Sequence, residues 1–130
     1  MSIKVAAVIG TDLYLTEISS GEKRIIGDEP VDQGGQDKGF NPYELLAASL
    51  ASCTCATLRM YVNRKQWAVS QIATEVTLER DPDTQSTHFE RIISFEGALS
   101  EEQLQRLLTI ANACPIHKIL SGTIEIKTRL

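Results

Sequence analysis

The sequence is most informative at first through what it lacks. No apolar segment approaches the ~18 residues that a membrane-spanning helix needs. The longest weakly polar run, Leu45 to Leu58, is diluted by Ala, Ser and Thr. No Lys/Arg cluster is present, and the formal net charge is -4. Nucleic acid and anionic membranes are therefore poor partners for this chain. The Gly-rich stretch "DQGGQDKG" lacks the Gly-Lys-Ser/Thr that a phosphate-binding loop requires. There are no internal repeats and no low-complexity segments. The opening "MSIKVAAVIG" is broken by Gly10, Thr11 and Asp12, so it reads as a strand and not as a signal peptide. Cysteine is scarce, with three in the chain. The expected compartment is cytoplasmic, where three thiols point to reduced, catalytic or metal-bound roles before a disulfide framework.

What is present describes one domain spanning residues 1–130. A chain of 130 residues can enclose one core, and 42% apolar residues argue against disorder. Ile3 to Val8 and Leu13 to Ile18 read as a hairpin about "GTD", with "EKRIIG" as a third short strand. Asp28 to Phe40 is rich in Gly and acids and reads as a surface loop of the length that often carries function. Asn41 as N-cap, Pro42 in the first turn and Glu44 three residues after the cap predict a helix from Pro42 to about Arg64. One of its faces is small: Ala47, Ala48, Ala51, Ser52 and Ala56. Such a face lets another helix or subunit approach closely. Ile72, Thr74, Val76 and Leu78 alternate with polar residues, as in a half-buried strand, and "THFERIISFEG" completes a second antiparallel hairpin. Ser100 with Gln103 predicts a capped helix, "CPIHKIL" a short one, and "TIEIKTRL" a final strand. The fold class is α+β, with antiparallel sheets packed on a long central helix.

Chemistry is concentrated at the cysteines. Cys53 and Cys55 lie two positions apart on the long helix, about 200° around it, so they face different ways. They cannot bridge each other without unwinding the helix, and they are badly placed to share a metal. A site of Cys53, Cys114 and His117 lacks a fourth ligand, so no metal is expected. Two readings of Cys53 stand side by side: a small buried residue in an Ala-rich helix, or a reactive thiol. Cys114 also has two. It can be a plain N-cap, or its place before a helical turn, with His117 three residues on, can favour the thiolate. His88 reads as a surface residue and Trp67 as a hydrophobic anchor. Tyr61 and Met60 read as core or interface.

"GFNPYELLAASLASCTCATLRMY", followed about sixty residues later by "ACPIHKILSG", resembles the osmotically inducible protein C (OsmC) family, which includes the organic hydroperoxide resistance (Ohr) proteins. The resemblance covers nearly the whole chain. It implies an intertwined α+β homodimer, with sheets wrapped around buried central helices and active sites at the subunit interface. It also implies thiol-dependent reduction of organic hydroperoxides. Cys53 then resembles the peroxidatic cysteine and Cys114 the resolving one, while Cys55 matches no catalytic position. The implied co-substrate is an external dithiol reductant, a role that lipoyl proteins fill for some members. The implied chemistry uses no metal, haem or flavin cofactor. The sequence departs from the family in one respect. Peroxidatic members place a glutamate directly after Asn-Pro to hold an arginine of the N-terminal strands against the thiolate. Tyr43 occupies that place here and is a candidate substrate-binding residue. Glu44, one step later, is better suited to capping, and Arg24 is the candidate cation in the first strands. The alternative implied by these departures is a noncatalytic redox sensor or small-ligand binding protein with the same fold.

Overall fold

The computed structural model describes residues 1–130. The chain packs as two compact units, Met1–Leu46 and Ala47–Leu130. The first holds an antiparallel sheet in the order β1 (Ala6–Ile9), β2 (Thr16–Ser20), β3 (Lys23–Gly27). The first two strands begin later than the alternation predicts. For β2 the physical reason lies at residues 12–15, whose backbone is engaged elsewhere. The Tyr14 N–H donates to Asp28 Oδ1 at 3.1 Å, and the Leu15 N–H donates to the Asp12 carbonyl at 2.9 Å. Those groups are not free to join the ladder.

Asp28 organises the loop that follows. Its buried carboxylate accepts backbone N–H groups from Tyr14, Glu29, Gln36 and Lys38 at 2.8–3.2 Å. Burial raises its pKa, but the four N–H donors outweigh burial and hold the carboxyl below its ordinary value. Gly35 and Gly39 let the loop close. A Cβ at either would lie 2.0–2.1 Å from a backbone oxygen, that of Glu29 or of Ile26.

The long helix α1 (Pro42–Lys65) starts as its sequence dictates. Asn41 Oδ1 accepts from the Glu44 N–H at 2.8 Å, and Glu44 Oε1 accepts from the Asn41 N–H at 2.9 Å. Glu44 is thus occupied with capping. By length and a mean hydropathy of 1.4, α1 meets the criterion for a membrane-crossing helix, contrary to the expectation that no segment approaches it. The small Ala, Ser and Thr residues that seemed to dilute the run do not lower its average enough. Core helices of water-soluble proteins pass the same test, and one side of α1 does pack internally. Leu58, Tyr61 and Val62 form a core with Val69, and with Leu107 and Ala111 of the second helix.

In the second unit, β4 (Gln71–Asp81) pairs antiparallel with β5 (Ser86–Glu96), in a register that sets Ile72 opposite Phe95, Thr74 opposite Ile93 and Val76 opposite Arg91. Ile72, Ile93 and Phe95 pack against the core from this sheet. Helix α2 (Glu101–Ala111) carries the full reciprocal cap between Ser100 and Gln103. Helix α3 (Pro115–Leu120) follows with Cys114 as its N-cap. Trp67 meets Tyr61 edge-on at 5.5 Å, as an anchor should, and His88 is exposed. Met60 is exposed, unlike Tyr61.

The expected final strand is absent. Residues 123–130 belong to no strand and lie exposed. Alternation in "TIEIKTRL" is a local property, whereas a strand needs a neighbour's N–H and C=O groups. Neither sheet of the chain supplies an edge to this segment.

Candidate active site

Two thiols and one guanidinium meet in the second unit. Cys114 follows the end of α2 and is fully buried, at 0% exposure. It caps α3: its Sγ accepts from the His117 N–H at 3.4 Å. Cys53, half-buried on α1, is among the side chains that act on the Cys114 thiol and lower its pKa, and both thiols are free. The Cys53 thiol also stands 3.9 Å from Thr57 Oγ1, one turn on. Cys55 faces elsewhere, 3.3 Å from Thr74 Oγ1 on β4. The helix therefore turns the two neighbouring cysteines apart and brings Cys53 to Cys114.

The cation at the site is Arg91 of β5. Its Nη1 lies 3.9 Å from Cys114 Sγ and donates to Thr54 Oγ1 at 3.0 Å. Its Nη2 donates to Asn112 Oδ1 at 2.9 Å and lies 3.0 Å from His117 Nδ1. A guanidinium has no lone pair to offer, so His117 Nδ1 must accept, and any ring proton of the neutral imidazole sits on Nε2. This arrangement also removes His117 as a ligand for a metal at the thiols through that nitrogen. No carboxylate pairs with Arg91: the ion pairs within the chain are Arg24–Glu17 and Lys127–Glu125.

Thr54 is fully buried beside the thiols, and its single hydroxyl proton goes to the Leu50 carbonyl at 2.7 Å. Its lone pairs are left to receive Arg91. For Cys114, burial pushes the thiol up. The His117 N–H, contacts with Cys53 and Thr54, and the charge of Arg91 together outweigh it, so the net direction is down from the ordinary 9.0. The His117 N–H is the largest support of the anion, followed by the Cys53 side chain, and the charge of Arg91 adds to them.

The other candidates stand apart from this cluster in their contacts. Arg24 on β3 is bonded to Glu17 on β2 at 2.5 Å, with both side chains more than half exposed. Tyr43, in the first turn of α1, is 62% exposed. Arg91, Thr54 and Asn112 escaped the reading of the sequence. Arg91 did leave a signal: it shares one face of β5 with Phe89, Ile93 and Phe95, where alternation calls for an apolar residue. A small cavity of about 200 Å³, lined by Leu50, Phe89, His117, Leu120 and Ser121, adjoins the cluster through His117.

Residues 35–129 match the family model described as OsmC-like protein. Among curated relatives, the chain is 31% identical over 102 residues to organic hydroperoxide resistance protein-like 1 of Staphylococcus saprophyticus, covering 75% of this chain and 72% of that protein. Among solved structures, it is similar to an OsmC-like protein from Mycoplasma pneumoniae, with a TM-score of 0.81 at 22% identity and coverage of 94% and 89% of the two chains. It is also similar to the organic hydroperoxide resistance protein OhrB of Bacillus subtilis, with a TM-score of 0.64 at 24% identity and coverage of 98% and 96%. These two likenesses bear on the fold: α+β, with antiparallel sheets and a long helix.

Proposed function

Given that the chain belongs to the OsmC-like family, we propose that it is a cysteine-based peroxidase that reduces organic hydroperoxides, with Cys53 peroxidatic and Cys114 resolving. The observation that carries this reading is the meeting of two free thiols from separate elements beside an arginine that has no carboxylate partner. Cys53 is the more accessible of the pair, which suits the sulfur that meets substrate. Its thiolate attacks the O–O bond, becomes a sulfenic acid and releases an alkoxide that takes up a proton. Cys114 then displaces hydroxide from that sulfur and closes a disulfide, and an external dithiol reopens it by exchange. Sulfur carries every step, without metal or cofactor.

The apolar side chains around the cavity beside His117 favour a substrate with a hydrocarbon tail. Tyr43 is proposed as a further substrate contact, and Arg24 as a second cation that would have to exchange Glu17 for the thiolate. A homodimer is proposed because α1 and the first sheet leave large apolar side chains uncovered in the single chain, among them Leu46, Met60, Ile25 and Ile26. A cytoplasmic setting is proposed with it, since that compartment keeps a dithiol reductant in its reduced form. The test is turnover of cumene hydroperoxide with a dithiol reductant. Cys53→Ser abolishes it on this reading, and unchanged turnover overturns the assignment. A disulfide that forms and reopens without turnover would instead identify a noncatalytic redox sensor.

A further inference from the structure

The reaction leaves open which sulfur of the closed disulfide the reductant strikes and what prepares Cys114 to close it. Three observations bear on this. Cys114 is fully buried, while Cys53 is half-buried. Arg91 stands at Cys114 with its position fixed on three sides by Thr54, Asn112 and His117. No carboxylate neutralises that guanidinium within the chain. An arginine on the apolar side of a strand is costly to keep unless something compensates its charge. Here its hydrogen bonds go to neutral groups, and the group in contact with it that is able to become an anion is the Cys114 sulfur. The titratable and charged groups facing that sulfur are Arg91 from β5, Cys53 from α1 and His117 from its own helix.

Resting on the peroxidase reading, we propose that Arg91 holds Cys114 as the thiolate, so that Cys114 is the attacking sulfur when the disulfide closes and the leaving sulfur when it is reduced, which directs the external dithiol to Cys53. In closure, Cys114 S⁻ attacks the sulfenic sulfur of Cys53, the S–S bond forms, and the departing hydroxide takes a proton to become water. In reduction, a thiolate of the dithiol attacks Cys53 Sγ and the S–S electron pair leaves with Cys114 as thiolate beside Arg91. The second thiolate of the dithiol then attacks its partner sulfur and releases Cys53 as thiolate, which returns the protein reduced and the dithiol oxidised. A thiol stabilised as its anion is the better leaving group. Burial closes the opposite approach, because in-line attack on Cys114 would have to come from its enclosed side.

Three measurements test this. In a Cys53→Ser/Cys55→Ser chain, the ultraviolet thiolate absorbance of Cys114 is followed against pH. Arg91→Gln moves the titration to more alkaline pH and Arg91→Lys moves it less, with folding checked by circular dichroism. In the full chain, one equivalent of cumene hydroperoxide is added and sulfenic acid is trapped with dimedone. Arg91→Gln slows closure of the trapped sulfenic acid to the disulfide by about tenfold or more at neutral pH, with recovery at alkaline pH. Finally, protein oxidised by diamide is treated with a monothiol, quenched in acid and mapped by mass spectrometry, and the mixed disulfide is found on Cys53. A titration indifferent to Arg91, or an adduct on Cys114, overturns the proposal. The titration and the diamide arm need no peroxide chemistry. A failure of hydroperoxide turnover alone therefore strikes the peroxidase reading and leaves the role of Arg91 decided by these two.

Discussion

Thr54→Val removes one hydroxyl and almost no volume from the fully buried residue between α1 and Arg91. Two hydrogen bonds are lost. The one to the Leu50 carbonyl matters little, because that oxygen also accepts the backbone bond of α1. The other accepts from a guanidinium, and a hydrogen bond to a charged group contributes about 1.5–3 kcal/mol. The added methyl recovers up to about 0.8 kcal/mol through burial. The net loss expected is therefore about 1–2 kcal/mol, read from urea unfolding at fixed protein concentration. A double-mutant cycle with Arg91→Met isolates the pair, and the coupling expected is about 1.5 kcal/mol or more. Asn112 and His117 still hold Nη2, so the guanidinium is loosened and not released. A coupling below about 0.5 kcal/mol, the range expected for independent sites, would refute the claim that Thr54 seats Arg91.

Other perturbations test the rest of the structure. Leu58→Ala empties the centre of the core that joins α1, α2 and β4, and should cost about 2–5 kcal/mol in the same unfolding assay. Arg24→Ala breaks an exposed ion pair with Glu17 and should change stability by less than about 1 kcal/mol. Its effect on hydroperoxide turnover decides whether Arg24 adds to catalysis. Asp28 has a folded-state pKa below its unfolded value near 3.8, so its contribution is complete above that value and is lost as pH falls through the lowered folded value. Hydrogen exchange at the Gln36 and Lys38 amides should quicken in acid below that point. In Asp28→Asn the same amides should exchange faster even at neutral pH, since one of the two accepting oxygens becomes a donor.

Local signals carried well from sequence to structure. The Asn41–Glu44 and Ser100–Gln103 caps rest on residues three apart, so their geometry follows once the chain turns. The β4–β5 hairpin follows from alternation on either side of a short turn. The separation of Cys53 from Cys55 is a property of the helix pitch itself. Boundaries drifted where a distant group intervened, as when Asp28 took the Tyr14 N–H and delayed β2. The last segment shows the same limit, because its alternation cannot reveal whether another strand is there to pair with it.

What the sequence by itself determined is the set of elements up to the last helix, their caps and the identity of the two thiols that the family resemblance singles out. Tertiary structure alone decided which cation stands beside them. Arg91 lies 23 positions from Cys114 and 37 from Thr54. Its approach to both depends on the β4–β5 register, the packing of that sheet on α1, and the turn that brings α3 back beneath it. Side-chain chemistry is written at single positions, but the electrostatics of a thiol depend on which charges the packed chain carries to within a few ångströms of it.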